Sequence, residues 1–214
     1  DVSVPFTEDG KVAGRFVVSA ADRDSHVTFL NFGKETLYGV VSADITDRTN
    51  LTAGIEYQEN TSHGMSSGFP LFYSDGTRTD FDRSVANNTK WAEFGTENAT
   101  AFLDFEHYFE NAWRIRVTYS HNNGNYALEY LWRGGYPNQE TGLGMPPSFI
   151  KYRGDRKRDD IHLELAGEVE WFNRSHQLAF GWMSIDDDNE IRRQLPIGDV
   201  PVVGSYMNWR EDHI

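Results

Sequence analysis

The chain contains no cysteine. That removes disulfides, thiol nucleophiles and thiolate-ligated metals in one step. It also lacks any run of about 18 apolar residues, so no segment can cross a bilayer as a helix. Cations are scarce: 20 Lys and Arg stand against 33 Asp and Glu, a formal net charge of −13 over 214 residues. That balance argues against nucleic acid, whose phosphates need a basic face. A Gly-rich phosphate loop and a His-Glu-x-x-His metal helix are missing as well. Aromatic residues, by contrast, are plentiful. Trp 6, Tyr 10 and Phe 14 make up 14% of the chain, which is incompatible with a disordered segment.

The dominant pattern is alternation of period two, which sends successive side chains to opposite faces of a sheet. Leu37–Ile45, Leu51–Gln58, Ala101–Phe109, Trp113–Ser120 and Ile161–Trp171 all show it. In the last of these, Ile161, Leu163, Leu165, Gly167, Val169 and Trp171 oppose His162, Glu164, Ala166, Glu168 and Glu170. Arg15–Ala21 and Gln177–Ile185 alternate more loosely, and no stretch repeats at 3.6 residues. The chain therefore reads as all-β, with about eight antiparallel strands.

Two kinds of connection take turns. Thr7–Gly10, Asp47–Asn50, Glu110–Ala112 and Asn173–His176 are short and built from turn-forming residues. Residues 22–36, 59–98, 121–160 and 186–208 read as long loops. Loops of such length are rare in compact soluble domains. Together with strict alternation, short turns on one side and long loops on the other point to an up-and-down transmembrane β-barrel. Lipid offers the backbone no hydrogen-bond partner, so a sheet can span a membrane only when closed. On this reading Leu103, Phe105, Ile115, Val117, Leu163, Leu165 and Val169 face lipid. Asp104, Glu106, Arg114, Arg116, Glu164 and Glu168 face inward, with the arginines near Asp104 or Glu106. Tyr57, Phe109, Trp113, Tyr119, Trp171 and Trp182 suit interfacial girdles. Periodicity alone leaves a second architecture open: a soluble β-sandwich whose apolar face is core and whose loop aromatics bind glycans.

Several segments resemble the barrels of TonB-dependent ferric-siderophore receptors, in the hydroxamate, coprogen and pyoverdine subgroup. Asp1–Phe6 through Gly10, followed by Val12–Val17, resembles the first barrel hairpin after the plug of that family. Leu37–Val40, Asp44–Thr46 and Thr49–Gln58 resemble the next hairpin; Gly68-Phe69-Pro70, Ser84 and Trp91 resemble the following loop, and Phe109–Arg116 the hairpin after it. The resemblance implies a bacterial outer-membrane receptor for ferric-siderophore uptake, energised through TonB, and not an enzyme. Its partners would be the siderophore, outer-membrane lipid and, through the plug, TonB. Iron would arrive as a siderophore-bound ligand, with no cofactor and no protein metal site. Such receptors also carry a plug, a TonB box and 22 strands. Residues 1–214 are therefore expected to be a partial barrel domain without its plug, as the start at Asp1 and the end at Ile214 also suggest.

The polar-face set His162, Glu164, Glu168 and Glu170 could line a catalytic cleft, but a solvated lumen face needs nothing more of them. The acidic stretches Asp75–Asp82 and Asp186–Glu190 could hold a hard cation, although neither has EF-hand spacing. The loop aromatics carry more information, since exposed rings are costly unless they pack or bind. Trp91 is the residue that matches the resembling receptors' pocket-lining aromatic and is expected to contact the siderophore. Tyr126, Tyr130 and Tyr136 are its expected companions by loop position.

Overall fold

A computed structural model describes residues 1–65, 68–87 and 89–195. Eight strands follow one another in chain order: β1 (Val2–Pro5), β2 (Val12–Asp24), β3 (Asn31–Thr46), β4 (Thr49–His63), β5 (Glu93–Tyr108), β6 (Arg114–Arg133), β7 (Pro147–Trp171) and β8 (Arg174–Gln194). Each pairs antiparallel with the next in a single sheet of order β1 to β8. No second sheet covers either face among the described residues. The sandwich reading therefore fails, because both of its faces would have to come from stacked sheets.

The pairing register sorts every strand residue onto one of two faces. Asp104, Thr118 and His162 are cross-strand partners on one face; Leu103, Tyr119 and Ile161 are partners on the other. The face of Leu103 also carries Leu37, Val41, Leu51, Ile55, Phe105, Val117, Leu163, Leu165, Phe180 and Trp182. Many of these are openly exposed: Ile55 at 58%, Phe180 at 58% and Trp182 at 56%. Among the described residues the buried apolar side chains are few, Ala92, Leu131, Pro137 and Met145. A sheet with an exposed apolar face and almost no core has its hydrophobic surroundings outside itself, as a lipid-embedded wall does.

Aromatic residues border the apolar band at both ends. Tyr57, Tyr119 and Trp182 sit at its upper edge, and Trp113 and Trp171 near the tight turns, all on the same face by register. Gly167 lacks a Cβ where the Trp113 ring lies across it; an added Cβ would meet that ring at 2.2 Å. His107 belongs to this lower border, bonded through Nδ1 to the Thr49 hydroxyl at 2.8 Å and edge-on to Phe109.

The opposite face carries the expected ion pairs. Arg116 Nε donates to Asp104 Oδ2 at 2.8 Å, and Arg114 Nη1 lies 3.4 Å from Glu106 Oε1 while also pairing with Glu164. Both arginines thus meet the carboxylates expected of them. Glu168 accepts from the Ser175 hydroxyl across the β7–β8 turn. That turn is two residues, Phe172 and Asn173, with φ of 52° and 56°. Positive φ at both positions matches the right-handed twist of the flanking strands.

The long connections differ from the sequence expectation. Residues 25–30 join β2 to β3, 64–92 join β4 to β5, and 134–146 join β6 to β7. The expected loops at 22–36, 59–98 and 121–160 are therefore too long, and the largest error is at 121–160, most of which is strand. Asn122-Asn123-Gly124-Asn125 is polar on both faces, so no alternation marks it. The ladder nonetheless runs unbroken from Arg114↔Ala166 to Arg133↔Pro147. Above the lipid both faces meet water, and backbone pairing continues without a hydrophobic signature. Likewise Asp186–Glu190 is not a loop but part of β8; of the expected loop 186–208, residues 196–208 lie outside the described residues.

Candidate functional site

The strand extensions above the apolar band place a set of rings on the inner face, the one that carries the Asp104–Arg116 pair. On β6, Tyr126, Leu128, Tyr130 and Trp132 point to this face in succession, and on β7 Tyr152 pairs with Leu128. Tyr152 is in turn the partner of Arg193 on β8, whose guanidinium lies 5.9 Å from the centre of the tyrosine ring. Such a contact holds a cation over an aromatic face. Tyr126 lies flat across Gly154: a Cβ there would fall 2.3 Å from Tyr126 Cε1. Glycine at 154 is thus a seat for that ring. Asn60, in the cross-strand row of Tyr126, donates to the Thr96 hydroxyl at 3.1 Å, and lower on the same face Asn122 donates to that of Thr100 at 2.8 Å.

The four residues singled out in the sequence do not form one cluster. Tyr126 and Tyr130 share the inner face, two positions of the same run. Trp91 precedes β5 and stacks on Phe149, with ring centres 6.0 Å apart and planes 14° from parallel. Phe149 pairs with Leu131, on the face opposite Tyr126 and Tyr130. Tyr136 lies in the 134–146 connection and is 60% exposed. The sequence reading missed Tyr152 and Arg193 and left Trp132 out of the site. The period-two run Tyr126, Leu128, Tyr130, Trp132 was the signal available for a strand in this stretch.

The connections above these strands are tied to one another. Thr28 N and its hydroxyl both donate to Ser84 O, at 2.9 and 3.0 Å, joining the β2–β3 and β4–β5 loops. Ser74 N donates to Pro137 O at 2.9 Å, joining the β4–β5 and β6–β7 loops. Inside the long loop, Phe69 packs on Phe81 at 4.7 Å and Tyr73 meets the same ring edge-on. Those rings fold on one another. Asp75 accepts from the backbone and hydroxyl of Thr77, and Asp82 does the same with Ser84. These hydrogen bonds hold both carboxyl groups below their ordinary pKa. Gly135, at φ 96°, has Gly144 O where a Cβ would stand, 2.3 Å away, so the 134–146 loop closes only with glycine there. Among the described residues no group of three or more His, Asp or Glu is arranged to hold a metal ion.

No family model matches this chain. Individual proteins do. It is 34% identical over 184 residues to the ferripyoverdine receptor of Pseudomonas aeruginosa, covering 85% of this chain and 22% of that protein. The chain belongs to the TonB-dependent siderophore-receptor family. A second relative, the ferric-pyoverdine BN7/BN8 receptor of Pseudomonas putida, is 26% identical across 100% of this chain and 25% of its own length. The crystal structure of the Pseudomonas aeruginosa outer-membrane ferripyoverdine receptor bound to ferripyoverdine superposes with a TM-score of 0.89. It is 28% identical and covers 98% of this chain and 28% of that one. This siderophore-receptor chain thus spans about a quarter of the length of the curated relatives it matches. Its strands are outer-membrane barrel strands, so the exposed apolar band of Leu103, Val117, Leu163 and Phe180 is the lipid-facing one, and the face of Arg116 and Tyr126 looks into the lumen.

Proposed function

We propose that this chain is part of the barrel domain of an outer-membrane receptor that captures a ferric siderophore and imports it with energy delivered through TonB. The observation that carries the reading is the match to a ferripyoverdine receptor, in sequence over 85% of the chain and in backbone over 98%. The plug, and the contact with TonB that it makes, belong to the remainder of the receptor in this reading. Iron is cargo held by its chelator, so no protein metal ligand and no covalent chemistry are required. His162, Glu164, Glu168 and Glu170 then serve as wetted lumen residues, not as an acid–base set.

The ligand wall proposed here is the lumen-facing run of Tyr126 and Tyr130, extended by Tyr152 and Arg193. Flat rings suit the apolar faces of a bulky chelate, and hydroxyl and guanidinium groups suit its polar edges. Trp91 and Tyr136 act from the loops above. The Trp91–Phe149 stack fixes the point at which the 64–92 loop re-enters the sheet. The test is Tyr130→Ala in the full-length receptor, with ferripyoverdine affinity followed by quenching of intrinsic fluorescence. Loss of one such contact should weaken binding about tenfold or more, whereas Trp91→Ala should weaken it less. An unchanged dissociation constant for Tyr130→Ala, with a large loss for Trp91→Ala, would move the site to the loop side of the rim.

A further inference from the structure

The tight turns, which face the periplasm in such barrels, are not alike. Those between β1 and β2, β3 and β4, and β5 and β6 are tied to one another by ion pairs. Lys11 meets Asp47 at 3.4 Å, and Arg48 meets Glu110 at 3.0 Å. The turn between β7 and β8 ends instead in two aromatic rings. Trp171 and Phe172 stack with centres 5.0 Å apart and planes 18° from parallel, yet stay 66% and 81% exposed. Phe172 holds φ at 52°, a position that asparagine or glycine takes far more readily in a two-residue turn. A bulky ring kept there against backbone preference points to a use for the ring. Arg174 is the cross-strand partner of Trp171 and shares its outward face, whereas Glu168 and Glu170 point to the lumen. His176 Nε2 donates to the Trp171 carbonyl at 3.2 Å and ties the ring-bearing end of β7 to β8. Further barrel strands lie beside this hairpin in the sheet and leave its outward face open.

The ladder fixes the depth of this tip. Ile161 opens the outward apolar run of β7 and Trp171 closes it, ten residues on. At about 3.3 Å per residue and a tilt of about 40°, that run crosses about 25 Å, the height of the apolar band of such barrels. Trp171, Phe172 and Arg174 therefore stand among the phospholipid headgroups of the periplasmic leaflet. We infer that the tip is a binding site for one phospholipid, held by its phosphodiester. The Arg174 guanidinium presents a fork of N–H donors that suits two phosphate oxygens, and the Trp171 indole adds one donor more. On a chain of net charge −13, an outward face with arginine and neither of its hairpin's carboxylates is complementary to an anion. Stacked rings alone would make an unselective interfacial anchor. The guanidinium gives this one a chemical preference. The site depends on the barrel's place in the outer membrane and not on the chelate that the lumen takes.

The experiment titrates the full-length receptor in detergent with two probes of equal acyl chains, dioleoyl phosphatidylglycerol and monogalactosyl dioleoylglycerol. Native mass spectrometry counts the lipids bound. The wild type should hold one phosphatidylglycerol about tenfold more tightly than the galactolipid. Arg174→Gln should bring that ratio to about one, with heat-modifiable gel migration unchanged as the sign of a folded barrel. Arg174→Lys should keep an intermediate preference, having the charge without the fork. Phe172→Asn should weaken both lipids alike, since it removes a ring and no charge. Equal affinity of the wild type for the two lipids would overturn the inference and leave an unselective girdle. A preference that survives Arg174→Gln would overturn it as well, and a loss of barrel stability alongside would assign the guanidinium to the receptor's own sheet. If the Gln variant does not fold, the wild-type ratio and its fall in Arg174→Lys decide.

Discussion

The lower and upper halves of this sheet obey different rules, although the same strands run through both. In the lower half, β6 alternates Ile115, Val117 and Tyr119 toward lipid with Arg114, Arg116 and Thr118 toward the lumen. In its upper half the same strand carries His121, Asn123, Asn125 and Glu129 outward, and Asn122, Tyr126 and Tyr130 inward. The outward face has become polar and the inward face aromatic. Between the halves runs a row of like charges, Glu35, Glu59 and Glu97 in direct cross-strand register. Such a row is tolerable only where water or counter-ions reach it, so it marks where the outer face leaves hydrocarbon. The lesson is that backbone pairing sets the length of a barrel strand, whereas the solvents on its two faces set its pattern.

The largest predicted effect would come from putting a charge into the band. Val117→Arg should destabilise the full-length barrel in phospholipid by about 2–4 kcal/mol, while Asn123→Arg on the same face of the same strand should cost close to nothing. Equilibrium folding titrations in bilayers would measure both, and equal penalties would erase the boundary drawn here. A smaller effect is expected at the Tyr126 seat. Gly154→Ala should push the ring aside at a cost of about 1 kcal/mol in stability, because the clashing atoms are the far end of a side chain that can turn. In a Tyr126→Ala background the added methyl should cost less, and a double-mutant cycle reads that coupling directly. Additive penalties would show that Gly154 matters to the ladder and not to the ring.

The lumen ion pairs should matter less again. Arg116 is half exposed, so Arg116→Ala should cost no more than about 0.2–1 kcal/mol after screening by water. Thermal unfolding at low and high salt would check this, and a loss above that range would mean the pair is drier than its exposure implies. The gentlest change is in the 68–87 loop. Asp75 and Asp82 are held below the ordinary carboxyl value of 3.8 by hydrogen bonds from Thr77 and Ser84. A depressed folded-state pKa contributes stability that is fully present above 3.8 and is lost as pH falls through the lower folded value. Limited proteolysis of the loop should therefore be unchanged from pH 7 to pH 5 and quicken below pH 4. Cleavage that quickens already near pH 6 would assign the sensitivity to a histidine instead.

Where two different solvents flank the sheet, the sequence by itself was sufficient. Ile161–Trp171 and Trp113–Ser120 announce their faces, and the second of them its approach of Arg116 to Asp104 or Glu106, because period two leaves a residue only two directions to point. The candidate site lay beyond that reach. Asn122 to Asn125 reads as loop because both of its faces meet water, so nothing in the pattern separates a strand from a coil. Only the unbroken β6–β7 ladder turns Tyr126 and Tyr130 into neighbours on one wall and brings Tyr152 and Arg193 beside them. Trp91 illustrates the same limit from the loop side, since its partner Phe149 is 58 positions away in sequence. Whether a loop aromatic faces a lumen or stacks against a strand is decided by where the chain returns to the sheet. That return is fixed by long-range pairing and packing, which leave no local periodicity to read.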